Sequence, residues 1–204
     1  MRSTASPRMN VVKKEDKEAK IRDFIEQDLF VRRNAGGCAQ SSGACYLLMA
    51  LSSESPVARA LASLASQLEN AGISVQAVFA RAGQPVKTEE ATGFERVAAL
   101  RHAPDARLLD AHEQLILGPS TVWVGDCMRR DPAKRDAYEC YAIDSIETAV
   151  WAKRSFDRVW QRARPVRAGT TARGLSHAMV MDASAAEALA AMGEPVPTVG
   201  ATRH

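Results

Sequence analysis

Residues 110–126 run DAHEQLILGPSTVWVGD, two apolar segments of strand length on either side of Gly118, Pro119 and Ser120. Glu113 to Leu117 and Thr121 to Gly125 therefore predict a β-hairpin whose turn holds about three residues. Strand side chains alternate between faces, so His112 and Gln114 are expected to point the same way, where the hairpin meets the end of a sheet. Two polar groups aimed together make a candidate site.

Upstream, Cys45 to Leu51 is a continuous apolar run, the pattern of a strand covered on both faces. Ser55 and Pro56 then open a helix whose stripe is Val57, Leu61, Leu64, Leu68 and Ala71, closed by Gly72. Ile73 to Ala80 alternates as a strand, so strand, helix and strand predict a crossover unit with parallel strands. Residues 81–92 read as a loop, 93–101 as a short helical segment and 106–109 as extended. Downstream, Tyr138 to Ile143 suits a strand, and Ser145 to Arg164 a helix with Ile146, Ala149, Val150, Phe156, Val159, Trp160 and Ala163 on one face.

The ends differ from this centre. Residues 1–13 show no period and predict a mobile lead-in. Lys14 to Arg33 forms an amphipathic helix with Ile21, Phe24, Ile25, Leu29 and Phe30, and a glycine- and serine-rich link over 34–44 follows. Residues 166–204 are rich in Gly, Ala, Thr and Pro, with one short helix expected at Ala183 to Met192, and predict a loosely packed tail. The organisation expected is 1–34 as lead-in and helix, 45–165 as one α/β domain, and 166–204 as tail.

At 204 residues the chain suits one core. Its 46% apolar and 25% charged residues are those of an ordinary globular protein, and a net charge of +3 gives no strong pull toward nucleic acid or anionic membrane. No run approaches eighteen apolar residues and the N-terminus lacks a secretory pattern, so no membrane span and a cytoplasmic address are expected. The cysteines Cys38, Cys45, Cys127 and Cys140 lack paired spacing, no histidine, cysteine or carboxylate set has ligand spacing, and no glycine-rich nucleotide loop is present. Neither metal nor cofactor is expected.

The hairpin resembles the phospholipase D superfamily, whose signature is H-x-K, four residues and Asp, then a G-S-x-N-like patch and a later Glu. The element order over 45–165 resembles it too. That resemblance implies an α/β fold: a mixed sheet flanked by helices, a single phospholipase D-like half, here with an extra N-terminal helix. In the family the histidine takes up the phosphoryl group, the lysine holds phosphate oxygens, and two motifs meet across a dyad or pseudo-dyad. Carried over, His112 matches the nucleophile, Gly125 the glycine of the second patch and Glu139 the later acid. Gln114 stands where the lysine would be, Pro119 where the aspartate would be, Asp126 in place of the serine and Met128 in place of the asparagine.

These departures bear on chemistry. A developing phosphorane needs cationic stabilisation, and Gln114 supplies only a neutral donor. Asp126 adds negative charge where phosphate would bind, at a cost of about 1 kcal/mol or more. The resemblance thus implies a degraded site, with His112, Gln114 and Glu139 in the catalytic positions and Gly125, Asp126, Arg129 and Arg130 as phosphate contacts. The function expected is that of a non-catalytic phosphate-binding or scaffolding protein. The alternatives are a phosphodiesterase or nuclease acting through His112 in a homodimer, and an interaction module that binds a protein partner through its N-terminal helix. Against the site readings stand plainer ones: His112 bonded to backbone, Trp123 as packing, Glu139 paired with Arg129 or Arg130, and Asp126 in a solvated loop with Arg129, Arg130, Lys134 and Arg135.

Overall fold

The structure, a computed structural model, describes residues 8–34, 44–81, 97–131 and 133–166. The expected tail over 166–204 lies almost wholly outside the described residues.

One mixed sheet organises the chain. Its strands are β1 (Arg8–Val12), β2 (Cys45–Ala50), β3 (Ser74–Phe79), β4 (Ala98–His102), β5 (His112–Ile116), β6 (Val122–Cys127), β7 (Ala137–Ala142) and β8 (Arg164–Pro165). Among the described residues their spatial order is β1-β7-β6-β5-β2-β3-β4-β8. β2, β3 and β4 run parallel, and the remaining neighbours pair antiparallel. The helices are α1 (Lys17–Asn34), α2 (Pro56–Ser63), α3 (Ala65–Asn70) and α4 (Ile146–Arg162), with a 3-10 turn at Ala106–Asp110.

The central strands are apolar on both faces because both faces are covered. Tyr46, Leu48 and Ala50 of β2, Val75, Ala77 and Phe79 of β3, Leu115 of β5 and Trp123 of β6 join one cluster with Ile21, Phe24, Ile25 and Leu29 of α1 and Val57 and Leu61 of α2. Leu47, Met49, Val78, Ile116 and Val122 face the other way, onto Ala152 and Phe156 of α4. Alternation along each strand assigns its residues to these two layers.

The expected crossover is present: β2 and β3 pair in parallel with helix between them. That helix breaks at Leu64 into α2 and α3, and Gly72 ends it at φ 66°, a left-handed conformation that suits glycine. The expected hairpin is also present, β5 against β6.

Three local readings are corrected. Residues 8–12 are a strand rather than a lead-in, since β1 completes the edge beside β7. Ala98–His102 is strand β4, because a second parallel partner for β3 outweighs the weak helical spacing of 93–101, whose residues 93–96 lie outside the described residues. Ala106–Asp110 coils into a 3-10 turn capped by Asp105, whose carboxylate accepts the Arg107 amide at 2.9 Å, where an extended segment was expected.

Helix α1 is no appendage. Its apolar stripe is buried on this chain's own sheet, and Asp28 bridges it there by accepting from the Tyr46 hydroxyl and from Arg32. With β1 it belongs to the same compact unit as residues 45–165, a unit that runs to Val166. Only Phe30 and Val31 among its large apolar residues are exposed.

Candidate functional site

Antiparallel pairing places the start of β5 beside the ends of β2 and β6, so one sheet edge collects His112, Leu51 and the 125–127 segment. A register shift lies between His112 and Gln114: Gln114 sits opposite Val124, whereas His112 sits opposite Cys127. β6 therefore bulges around Gly125 and Asp126, which re-aims the strand end.

His112 is exposed, and its Nδ1 lies 2.9 Å from the Gly125 carbonyl oxygen. A carbonyl only accepts, so Nδ1 carries the proton and Nε2 is the atom left for other partners. Gln114 is 5% exposed and donates its amide Nε2 to the Ala152 carbonyl of α4 at 2.9 Å. The group in the lysine's place is thus consumed in tying the hairpin to a helix.

Glu139 lies on the opposite face. It is 2% exposed, and its Oε2 accepts from the Trp123 indole at 3.3 Å and from the Tyr141 hydroxyl at 2.8 Å. Burial pushes its carboxyl above the usual carboxylate range, and burial together with Glu139 pushes the Tyr141 phenol up. Glu139 bonds these two rings, where the plainer sequence reading paired it with Arg129 or Arg130. The structure brings His112 to Gly125 but separates Gln114 and Glu139 by the thickness of the sheet.

The four candidate phosphate contacts are occupied in other ways. A Cβ on Gly125 would fall 2.5 Å from the Trp123 ring, so the glycine is required by packing. Asp126 accepts the Cys127 amide at 2.7 Å and pairs with Arg130 at 3.7 Å, while Arg129 pairs with Asp110. Such exposed pairs contribute little stability and leave the patch close to neutral. Among the described residues no group of three or more histidines, cysteines or carboxylates is arranged to hold a metal ion.

One residue that the motif reading passed over occupies this edge more deeply. Glu113, between His112 and Gln114, alternates onto the α1 face, is 2% exposed, and accepts the Leu51 amide at 2.8 Å. The Ser55 hydroxyl also bonds it, and burial holds its carboxyl above the usual range. Ser55 does occupy the position before α2, as its sequence position implied, yet its hydroxyl makes no cap and serves Glu113 instead. Lys17 of α1, itself 2% exposed, adds its charge to both carboxylates. Strict period two was the available signal for Glu113. Nothing local marked Lys17, which reads as the solvent-facing start of a helix.

With this geometry in view, the chain has a phospholipase D-like fold, as solved structures show. Nuc from Salmonella typhimurium, a phospholipase D family member, matches with a TM-score of 0.51 at 13% identity, covering 80% of this chain and 100% of its own. TrmBL2, an archaeal chromatin protein described as showing a novel mode of DNA binding, matches with a TM-score of 0.51 at 14% identity, covering 79% of this chain and 56% of its own. NucT from Helicobacter pylori aligns over 79% of this chain and 99% of its own, with a TM-score of 0.45 and 15% identity. No protein-family model matches the chain, and no curated protein matches it in sequence. Among the described residues no helix is long and apolar enough to cross a membrane.

Proposed function

We propose that this chain is a non-catalytic domain of phospholipase D-like fold that works by binding or scaffolding. The observation that carries the reading is the buried hydrogen bond from Gln114 to the Ala152 carbonyl, on the sheet face opposite Glu139. Three requirements of phosphoryl transfer are a free nucleophile, a cation at the phosphate oxygens, and an acid within reach. His112 retains an exposed ring, Gln114 provides no cation, and Glu139 accepts bonds from two rings on the far face. The guanidinium groups of Arg129 and Arg130 are each paired with a carboxylate, which weakens them as substitutes for the lysine.

An active centre built from two histidine motifs would need a second copy of the chain, whereas a binding domain has no such requirement. The test is hydrolysis of bis(p-nitrophenyl) phosphate without added metal, by the full chain and by His112→Ala. We expect no turnover that depends on His112. Metal-independent turnover that disappears in His112→Ala would overturn the proposal in favour of a phosphodiesterase.

A further inference from the structure

We propose that the outer face of α4 binds single-stranded nucleic acid, with Arg154, Arg158 and Arg162 on the phosphates and Trp151 stacked on a base. The inference goes beyond the reading of the hairpin edge, because none of these residues belongs to that edge.

The charge of the chain is unevenly placed. Between Ile146 and Pro165 stand Lys153, Arg154, Arg158, Arg162 and Arg164 against Glu147 and Asp157, a net +3 that equals the charge of the whole chain. A modest total therefore conceals one cationic run. Helical spacing orders it further, since residues three or four apart share a side of a helix. The helix buries Ala149, Ala152 and Phe156, and away from them Arg154, Arg158 and Arg162 form one row that Trp151 begins a turn earlier. All four are exposed, Trp151 to 63%. Arg164 of β8, exposed as well, follows just past the helix end.

These cations are uncommitted. Among the described residues none of these four arginines has a carboxylate within ion-pair distance, whereas Arg22, Arg32, Arg59, Arg129 and Arg130 each have one. Asp157, the acid within the run, is held by Lys153 at 2.7 Å. Glu147 lies one turn before Trp151 and closes the run at its start. A helix C-terminus favours cations, which accounts for Arg162 but neither for Arg154 in mid-helix nor for an exposed indole.

The pattern selects the partner. A guanidinium fork matches phosphate oxygens in pairs. Successive arginines of the row rise about 6 Å along the axis, a step that suits the phosphates of an extended strand. A duplex keeps its bases stacked inside, whereas a single strand presents base faces to an exposed indole. A lipid surface takes up the apolar face of a helix, and that face of α4 is already covered by the chain's own sheet.

The experiment follows the fluorescence anisotropy of a labelled oligothymidylate of about fifteen nucleotides, titrated with the full chain across a series of KCl concentrations. The expected result is an affinity whose logarithm falls with the logarithm of salt at a slope of about −2, the value for three phosphates of a single strand. Arg154→Gln with Arg158→Gln should weaken binding about tenfold or more at about 50 mM salt. Trp151→Ala should weaken it about fivefold or more and remove the quenching of tryptophan emission that accompanies binding. Lys13→Gln with Lys14→Gln takes the same charge from the exposed segment before α1 and should change affinity by less than about twofold. Every substituted side chain is exposed, so the variants keep the core. The proposal is overturned if the oligonucleotide does not bind at about 50 mM salt, or if the lysine pair matters as much as the arginine pair. It is equally overturned if tryptophan emission is unchanged on binding, or if a duplex, polyglutamate or phosphatidylserine vesicles bind as tightly through the same residues. Hydrolysis of bis(p-nitrophenyl) phosphate enters none of these readouts, so the two proposals fail separately.

Discussion

Replacing Gly125 with alanine separates a packing role from a phosphate-binding one. The added Cβ would lie 2.5 Å from Cη2 and 2.6 Å from Cζ2 of Trp123. Carbon atoms rest at about 3.5–4.0 Å, so the indole would have to withdraw by about 1 Å. Trp123 is 2% exposed, packed between the α1 face and the sheet, and tethered through its N–H to Glu139. Overpacking of this kind costs about 1–3 kcal/mol, and straining the bond to Glu139 adds to it. A loss of about 2 kcal/mol lowers Tm by about 4–8 °C in a chain of this size. Thermal unfolding followed by far-UV circular dichroism measures it directly. The double variant supplies the mechanism: phenylalanine at 123 lacks the colliding ring atoms, so Gly125→Ala should cost far less in a Trp123→Phe background. A Tm within about 1 °C of wild type for Gly125→Ala alone would refute the packing argument.

Two other substitutions probe the same edge. Gln114→Lys restores the family's residue but buries an ammonium against the underside of α4; we expect a clear fall in the urea midpoint and no phosphodiesterase activity, because Glu139 stays on the far face. Recovery of hydrolysis in that variant would show that the two faces communicate after all. Glu113→Gln should flatten the dependence of stability on pH: the wild type loses stability as pH rises through the raised value of Glu113, and the amide has nothing to lose there. Urea midpoints of the two proteins at pH 6 and pH 9 check this, and parallel pH profiles would contradict it.

The central fold is legible because its signals are local and redundant. The run Cys45 to Ala50 announces a strand covered twice, and the stripe Val57, Leu61, Leu64, Leu68 announces the helix that covers it. The breaker Gly118-Pro119-Ser120 announces the hairpin. What was hidden is set by partners distant in sequence. Arg8–Val12 has no period of its own and becomes a strand because β7 offers it an edge. Ile146 and Val150 extend the apolar stripe of α4 on paper yet stand exposed, since the sheet beneath accepts only Ala149, Ala152 and Phe156 closely. The site was half legible: the approach of His112 to Gly125 follows from pairing the two strands, whereas the separation of Gln114 from Glu139 depends on which face β7 turns inward. That parity cannot be counted from the hairpin.

The edge that carries chemistry in a phospholipase D-like domain must hold polar groups in place without consuming them. Here all of the candidate groups but His112 are bonded into the architecture. Gln114 fastens β5 to α4, Glu113 fastens β5 to the end of β2, and Glu139 orients two rings beneath α1. A buried donor bonded to a helix carbonyl stabilises by about 1 kcal/mol and costs more than that to withdraw, which on the proposed reading holds these groups away from a reaction. The buried bond from Gln114 to the Ala152 carbonyl draws hairpin and helix together. His112 keeps an exposed ring, and on the proposed reading it lacks the cation and the acid that phosphoryl transfer needs beside it. On the proposed reading the hairpin serves its place in the sheet, between β2 and β7, rather than the reaction its sequence resembles.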